Sequence, residues 1–509
     1  MNPTSLVLLT VDCLRADRVG FGGYARPLTP FLDSVATEAV TFSNAMVAGA
    51  PTYFSLPAIM ASRYALGLGR DVIGIAPSEP TIASVLQNQG YETAAFVGAN
   101  PYLSPRFGYD QGFDHFSDFL HSDPSNQTET SVSPGQRATS TLNRRVERLS
   151  RITKLSQQAY NELYFRYCQW RSASSESTMD QLRRYPSAEV LVNAACAWLR
   201  NLSDQDQPFF LWIHFMDPHH PYYPPLEALQ SLGISGMNAR RARFLNSFWN
   251  RGDLSPTRLQ RHRSEVQALY DAGILWADHQ MARLAGCLKD LKRWHETLFV
   301  ATADHGEEFL EHGGRHHSAD ALREELIHVP LILRAPDVLP CKLPGVFSLI
   351  DLAPTLLEAL AVHSPSSFRG RSKWKEISAG NLPDTPAISE CIAGCDNPIS
   401  TADRDSPRLL ATRQGQYKLV FDCRTGRDEF YNLSVDPSEM RPLPLETDRN
   451  KRLELLRVAH EHLRASRGHR DSELALRARL REIRQRVELM PAHAASGCAQ
   501  VVLQVREHG

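Results

Sequence analysis

The sequence predicts a large α/β fold in which a mostly parallel sheet lies between two layers of helices, an α/β/α arrangement. Short apolar runs alternate with amphipathic helical runs, which is typical of parallel sheets covered on both faces. The chain has 509 residues and a hydrophobic share of 42%, enough to bury a large core. A smaller antiparallel-sheet subdomain and a helical tail are predicted after this domain.

The first half of the chain begins with an apolar run at 6–11, LVLLTV, which predicts a strand. Apolar residues at helical spacing predict helices at 30–38, at 56–60 and at 81–89, the last ended by Gly90. The run TAAFV within 92–97 predicts the next strand. Strands and helices therefore alternate from the start.

The alternation resumes at residue 188. Helices are predicted at 188–202, 265–291 and 349–360, and strands at 208–216, 298–302 and 329–334. Together with the first half they make one domain, which we place at residues 1–380. We expect the Ser-rich, polar and locally basic segment at about 121–186 to be an insertion on the sheet rather than part of it.

The C-terminal part of the chain has a different pattern. From residue 387, short strands and turns predict an α+β subdomain at 387–445 with an antiparallel sheet. Residues 446–509 are rich in Arg, Leu and Glu at helical spacing, which predicts a helical tail. Its apolar positions are expected to dock on the body or on another subunit, so a homo-oligomer is one alternative.

Composition excludes several classes of function. The formal net charge is −1, so nothing predicts binding to nucleic acid or to an anionic membrane. No apolar run approaches the roughly 20 residues that span a bilayer. The N-terminus lacks a basic segment, so we expect no signal peptide and a cytoplasmic protein. The nine cysteines show no zinc-like spacing, which predicts free thiols.

Two predicted strands end at side chains that bind metals. Asp12 follows the strand at 6–11, and Asp304 and His305 follow the strand at 298–302. Open α/β sheets place ligands at the carboxyl ends of their strands. Carboxylates suit hard cations and imidazole suits Mn or Zn, so we expect one divalent metal ion, with Mn or Zn favoured and Ca or Mg as alternatives. The competing interpretation is an Asp that caps a helix.

Several motifs resemble the sulfatase family of the alkaline phosphatase superfamily. The family's opening motif has its counterpart in residues 11–18 (VDCLRADR), 29–33 (TPFLD) and 42–45 (FSNA). Residues 209–222 (FFLWIHFMDPHHPY) resemble its central motif. Its metal motif is resembled by 302–308 (TADHGEE), 311–313 (EHG) and 325–331 (ELIHVPL), and its C-terminal subdomain by 417–419 (YKL) and 429–437 (EFYNLSVDP). The motifs occur in the family's order, so the resemblance implies an esterase that uses the metal at Asp12, Asp304 and His305.

The nucleophile position departs from that family. Sulfatases carry a Cys or Ser, converted to formylglycine, in a C-x-P-x-R stretch; here Thr52 takes that place, with Phe54 and Leu56 at the Pro and Arg positions. Threonine cannot be oxidised to formylglycine, and it resembles the phosphodiesterase and phosphotransferase branches of the superfamily. Thr52 is then a metal-bound nucleophile that forms a phospho-threonine. Ser55 competes, but it would lie inside the first turn of the helix predicted at 55–62.

Other site residues follow from the same resemblance. Cys13 replaces the family's second Asp, so either the metal is softer or the site has three protein ligands plus Thr52. His219 resembles the residue that donates to the transferred group or the leaving oxygen. His317, or equally His316, falls near a position that relatives fill with Lys or His. Asn100 is expected to contact the substrate or to form a turn.

The sequence therefore predicts a metal-dependent hydrolase or transferase that cleaves a phosphate mono- or diester of a small molecule through a phospho-threonine. Two alternatives stay open at this point. One is a sulfate ester hydrolase, and the other is a catalytically lapsed member of the family that binds a ligand or partner. Neither the natural substrate nor the choice between water and an alcohol as acceptor follows from the sequence.

Overall fold

The structure, a computed structural model, describes residues 5–120, 154–172, 178–202, 207–399, 401–468 and a few positions between 476 and 484. Most of the predicted insertion and the end of the predicted tail lie outside these residues. No described helix combines the length and the apolar character that crossing a bilayer requires. The cysteines within the described residues are free thiols, as predicted.

Nine strands of the described chain form the main sheet. They are β1 (Ser5–Val11), β2 (Val40–Met46), β3 (Glu92–Val97), β4 (His115–Ser117), β5 (Phe209–Phe215), β6 (Thr297–Ala303), β9 (His328–Val329), β10 (Leu331–Arg334) and β11 (Cys341–Ser348). The short strands β7 (Glu308–Phe309) and β8 (Arg315–His316) form a separate hairpin. Their order is β11-β2-β10-β6-β1-β5-β3-β4, with β9 paired to β2. Only β9 and β10 run antiparallel to their neighbours. The predicted mostly parallel sheet is confirmed.

The three central strands of the sheet are buried and end at the same level. Every residue of β1, β5 and β6 is buried, as expected for parallel strands covered on both faces. In the register, Val11 at the end of β1 lies opposite Phe215 of β5 and Ala303 of β6. The three central strands therefore end at the same level, and the residues that follow them meet at one edge.

Helices cover the sheet in two groups. The described helices are α1 (Pro30–Ala36), α2 (Thr52–Ala61), α3 (Ile82–Asn88), α4 (Lys154–Ser172), α5 (Met179–Leu182), α6 (Ala188–Arg200), α7 (Leu226–Ser231), α8 (Ala239–Trp249), α9 (Pro256–Leu259), α10 (Arg263–Asp290), α11 (Glu324–Ile327), α12 (Leu352–Ala359), α13 (Trp374–Ser378), α14 (Thr401–Arg404) and α15 (Arg449–Gly468). The long α10 packs against α1 and α6, whereas α2, α3 and α12 pack together. This is the predicted α/β/α arrangement.

The smaller sheet has the predicted antiparallel form. Its strands are β12 (Ala387–Ile392), β13 (Arg408–Gln414), β14 (Tyr417–Asp422) and β15 (Arg427–Asn432). Leu455 of α15 packs into a small apolar core with Leu410, Leu419 and Phe430. The first part of the predicted tail therefore docks on the body, one of the two alternatives. The proposed domain boundaries at 380 and 445 stay predictions.

Three details of the predicted elements were wrong. The helix expected at 56–60 begins at Thr52, directly after Pro51. The strand expected at 329–334 is interrupted at Pro330, which has no N–H to donate to a neighbouring strand. The edge strand β11 and its neighbour β2 were missed. The segment of β11 contains Pro344 and Gly345, which suggest a turn, but a bulge between Leu343 and Val346 accommodates them.

Candidate active site

The carboxyl edge of the main sheet collects the predicted site residues. Asp12 follows β1, Asp304 and His305 follow β6, and His219 lies shortly after β5. Asn100 lies in the loop after β3. Because β3, β5, β1 and β6 are consecutive neighbours in the sheet, these side chains converge where open α/β sheets bind ligands.

One group of side chains has the composition of a metal site. The ligand atoms of Asp12, Asp304 and His305 all lie within 4.8 Å of one another, and all three residues are fully buried. Thr52 Oγ1 lies 3.1 Å from His305 Nε2. Among the described residues, Asp304 Oδ2 has no hydrogen-bond partner. Two buried carboxylates with an unsatisfied oxygen fit a divalent cation, since uncompensated buried charge is costly.

The carboxyl group of Asp12 is oriented by two donors. Asn100 Nδ2 donates to Asp12 Oδ2 over 3.1 Å, and His214 Nε2 lies 3.3 Å from the same oxygen. Because a carboxylate oxygen can only accept, His214 donates from Nε2. Its Nδ1 then accepts from Thr10 Oγ1 at 2.8 Å, and Thr10 Oγ1 in turn accepts from Trp212 Nε1 at 3.0 Å. The other oxygen, Asp12 Oδ1, accepts from Cys13 Sγ over 3.0 Å and lies 3.5 Å from His305 Nε2.

Burial and mutual charge perturb these groups. Burial would raise the pKa of Asp12, but neighbouring histidines, His219 first, hold it well below its usual range. Burial, followed by the charge of Asp12, raises the pKa of Asp304. Burial would lower the pKa of His305, but Asp304 and Asp12 raise it. The site therefore concentrates negative charge that a cation can balance.

Thr52 is the first residue of α2, where backbone N–H groups have no partner within the helix. Its side chain is near the surface of a cavity, although the residue is only 4% exposed. The competing Ser55 is fully buried, and its Oγ donates to the carbonyl of Thr52 over 3.2 Å. The structure thus directs the hydroxyl of Thr52, and not that of Ser55, toward His305.

Four histidines form the other side of the site. The ring centroids of His219 and His317 are 4.9 Å apart, and those of His220 and His316 are 4.1 Å apart. His317 lies nearer the carboxylates, with its ring centroid 4.6 Å from that of His305. Burial lowers the pKa of His219, and burial with the nearby His305 lowers that of His317 to about 3. These rings are neutral at neutral pH and can bind metals or exchange protons.

A cavity of about 480 Å³ opens above this site. Its lining includes Thr52, Tyr53, Asn100, Tyr102, His219, His220, Arg315, His316 and His317. Every non-metal residue predicted for the site therefore faces one cavity. His316 lies farther out, because its Nε2 lies 2.8 Å from Asn250 Oδ1. The cavity has room for a small ester.

Two residues of the site were not predicted. His214 lies inside β5, where a buried histidine reads as packing, and only its contact with Asp12 shows its importance. Glu307 was part of the quoted motif but received no role. It is fully buried, and its Oε1 lies 3.1 Å from His317 Nδ1. Its spacing of three residues from Asp304 was the available signal.

The fold and this site define an α/β/α protein with a candidate metal-binding group at the carboxyl edge of its sheet. The family model described as Sulfatase matches residues 4–362, and the chain belongs to the sulfatase family. The resemblance seen in the motifs is thereby confirmed, and the protein is a sulfatase-family hydrolase.

The relatives reported for this chain match between about half of it and nearly all of it. An arylsulfatase of Clostridium perfringens is 24% identical over 489 residues, which are 90% of this chain and 93% of the relative. Arylsulfatase K of Xenopus laevis is 27% identical over 49% of this chain and 51% of its own length. Among solved structures, a putative sulfatase of Bacteroides fragilis has a TM-score of 0.64 at 18% identity, covering 92% of this chain and 97% of its own. A phosphonate monoester hydrolase of Agrobacterium radiobacter has a TM-score of 0.61 at 18% identity, covering 92% and 96%.

Proposed function

We propose that this protein cleaves a phosphate mono- or diester through a covalent phospho-threonine at Thr52. One observation carries the proposal: Thr52 Oγ1 lies 3.1 Å from His305 Nε2, at the helix start where the family has its nucleophile. A threonine has no route to formylglycine. A hydroxyl that shares a metal site with carboxylates and imidazole is instead an oxygen nucleophile.

Three side chains would hold the metal ion, namely Asp12 through Oδ1, Asp304 and His305, with Thr52 Oγ1 beside them. When bound, such an ion polarises the phosphoryl oxygens and lowers the pKa of the threonine hydroxyl. Mixed carboxylate and imidazole ligands suit Mn or Zn better than Ca or Mg. Asn100 and His214 hold Asp12 in position.

The reaction then has two balanced steps. In the first, Thr52 Oγ1 forms a bond to phosphorus, and the bond from phosphorus to the leaving oxygen breaks. Nδ1 of the neutral His219 donates to the carbonyl of His220, so Nε2 is its unprotonated nitrogen, which takes the hydroxyl proton of Thr52 and passes it to the leaving oxygen. In the second, Nε2 takes a proton from water or an acceptor alcohol as that oxygen bonds to phosphorus, and returns the proton to Thr52 Oγ1 as the bond from Thr52 to phosphorus breaks. The N-terminus of α2 attracts the anion throughout.

The test compares Thr52→Ala with a matched control, Ser55→Ala, on aryl phosphate monoesters and diesters, an aryl phosphonate monoester and an aryl sulfate. We expect Thr52→Ala to lose roughly 10,000-fold or more in kcat on the preferred phosphate ester. Ser55→Ala should retain activity within about tenfold, since its hydroxyl bonds only a backbone carbonyl. Acid-quenched wild type should carry phosphate on the peptide that contains Thr52.

Sulfate ester hydrolysis is the second candidate, because the relative that covers nearly the whole chain is named an arylsulfatase. A higher kcat/KM for the aryl sulfate than for every phosphorus ester would favour it and contradict our proposal. Unchanged turnover in Thr52→Ala would also contradict it. The lapsed-enzyme alternative makes a different prediction, namely that purified protein neither contains nor takes up a divalent metal.

A further inference from the structure

A second group of metal-binding side chains lies beside the first. Cys13 Sγ lies 3.3 Å from His317 Nδ1, and Glu307 Oε1 lies 3.1 Å from the same nitrogen. Cys13 and Glu307 are fully buried, and the side chain of His317 is 16% exposed. We call these three residues the second cluster. It has no part in the proposed cleavage by Thr52.

The sulfur of Cys13 lies between the two groups. Its Sγ donates to Asp12 Oδ1 over 3.0 Å and lies 3.3 Å from His317 Nδ1. The amide of the same residue donates to Asp304 Oδ1 over 3.3 Å. The cysteine therefore contacts the first group through its N–H and its thiol proton, and reaches the second cluster through its sulfur.

Two buried polar atoms at the second cluster are unsatisfied. Within the described part of the chain, Glu307 Oε2 and His316 Nδ1 have no hydrogen-bond partner. His316 Nδ1 lies 3.9 Å from Glu307 Oε1, so it faces the cluster from outside. A buried carboxylate oxygen without a partner destabilises the fold, and a bound cation removes that cost.

We propose that Cys13, Glu307 and His317 bind a second divalent metal ion, a thiol-preferring one such as zinc, next to the first metal site. Sulfur with imidazole and one carboxylate is a soft ligand set, which selects zinc over Ca or Mg. With bonds of about 2.3 Å to sulfur and about 2.0 Å to nitrogen, the 3.3 Å separation corresponds to an angle of about 100° at the metal. The Glu307 and His317 atoms give a similar angle, so both approach a tetrahedral geometry.

The proposal goes beyond the proposed function, which needs a single ion at Asp12, Asp304 and His305. Binding at the second cluster releases the thiol proton of Cys13 to solvent, because sulfur binds metals as the thiolate. His317 then acts as a metal ligand and no longer as a group that contacts substrate directly. His317 lines the same cavity as Thr52 and His219, so an ion held at the second cluster would lie beside that cavity.

The experiment counts metal ions in the full-length protein. Protein stripped with a chelator is loaded with zinc chloride, desalted and analysed for zinc by mass spectrometry. We expect about two zinc ions per chain in wild type and about one in Cys13→Ala and in His317→Ala. A matched control, His312→Asn, changes a histidine that contacts Glu325 outside both groups, and should keep both ions.

Cobalt gives a second readout that does not depend on activity. Loading with cobalt(II) to two ions per chain should produce a near-ultraviolet charge-transfer band from sulfur to metal, because Cys13 binds as the thiolate. A full band in protein that holds one cobalt ion at most would assign Cys13 to the first site and overturn the second. Cys13→Ala should lose the band, whereas Cys341→Ser, at a partly buried thiol on β11, should retain it. If Cys13→Ala does not fold, the isosteric Glu307→Gln provides the same test through the zinc count.

The outcomes separate this proposal from the preceding one. A single zinc ion in wild type that is lost in Asp304→Asn overturns the second site and leaves the proposed function intact. A cobalt band that survives in folded Cys13→Ala also overturns it. If wild type binds no metal under any loading condition, both proposals fail.

Discussion

The contact between His214 and Asp12 gives the sharpest test of how the first metal site is held. His214 Nε2 and Asn100 Nδ2 both lie within hydrogen-bond distance of Asp12 Oδ2. Replacing His214 by Phe keeps a ring of similar shape in the fully buried position but removes the donor. Asp12 Oδ2 would then keep Asn100 alone, and the carboxyl group would no longer be fixed with Oδ1 toward the metal.

The size of the effect follows from the kind of bond lost. A hydrogen bond to a charged group contributes about 1.5–3 kcal/mol, and removing the partner of a metal ligand weakens metal binding about 10- to 100-fold. We therefore expect His214→Phe to bind Mn or Zn at the first site about 10- to 100-fold more weakly, or about 1.4–2.7 kcal/mol. His214→Gln, which restores a donor, should recover part of this loss.

The assay is calorimetric titration of chelator-treated protein with manganese chloride, with the melting temperature of each apo-variant as a check on folding. Thr10→Val is the matched control, because it removes the hydroxyl that contacts His214 Nδ1 and leaves the ring of His214, with its contact to Asp12, in place. It should weaken binding less than His214→Phe does. A folded His214→Phe that binds within about twofold of wild type would refute this account.

Three further outcomes concern stability. Metal present at about 100 times its Kd should stabilise the protein by about 2.7 kcal/mol, so chelation should lower Tm and manganese or zinc should restore it. Burial would raise the pKa of Glu324, but Arg413 and Lys418 lower it to about 2 from an ordinary 4.5. Because the pKa of Glu324 is lower in the folded state, its ionisation stabilises the fold by about 3 kcal/mol above pH 4.5, and this contribution is lost as the pH falls toward 2. In urea unfolding, the free energy of unfolding of Glu324→Gln should therefore differ from that of wild type at pH 7 and converge with it in acid. Leu455→Ala should lose about 2–5 kcal/mol without changing metal content, since this fully buried side chain joins α15 to the small sheet.

The grouping of the candidate metal ligands could be predicted because their signal is local. Asp12 and Asp304 each follow an apolar run that is unmistakably a strand, and parallel strands bring their carboxyl ends together whatever their order. The position of Thr52 came from the motif alone, and the structure adds that the helix begins there. The strand ends and the order of the motifs are enough to predict such residues, and both can be read from the sequence.

The remaining parts of the site depend on distant neighbours. His214 is surrounded in the sequence by the apolar residues of a fully buried strand, so it looks like a core residue. Its contact with Asp12 joins residues that are 202 positions apart in the sequence. β2 likewise obtains its pairing from strands far away in sequence, namely β9, β10 and the edge strand β11. Propensity carries little information about such contacts, because packing decides them.

The charge of the site gives one explanation for both departures from the family pattern, at Cys13 and at Thr52. Two carboxylates, Asp12 and Asp304, balance one divalent ion, which leaves the site neutral before the nucleophile ionises. A third carboxylate at position 13, next to Asp12 Oδ1, would oppose the alkoxide that the proposed reaction requires of Thr52. The Cys13 thiol carries no such charge beside Asp12, because burial and the neighbouring carboxylates raise its pKa well above the usual range. If Thr52 is the nucleophile, as proposed, we therefore expect it to ionise more easily in this chain than it would with the family's second aspartate in place.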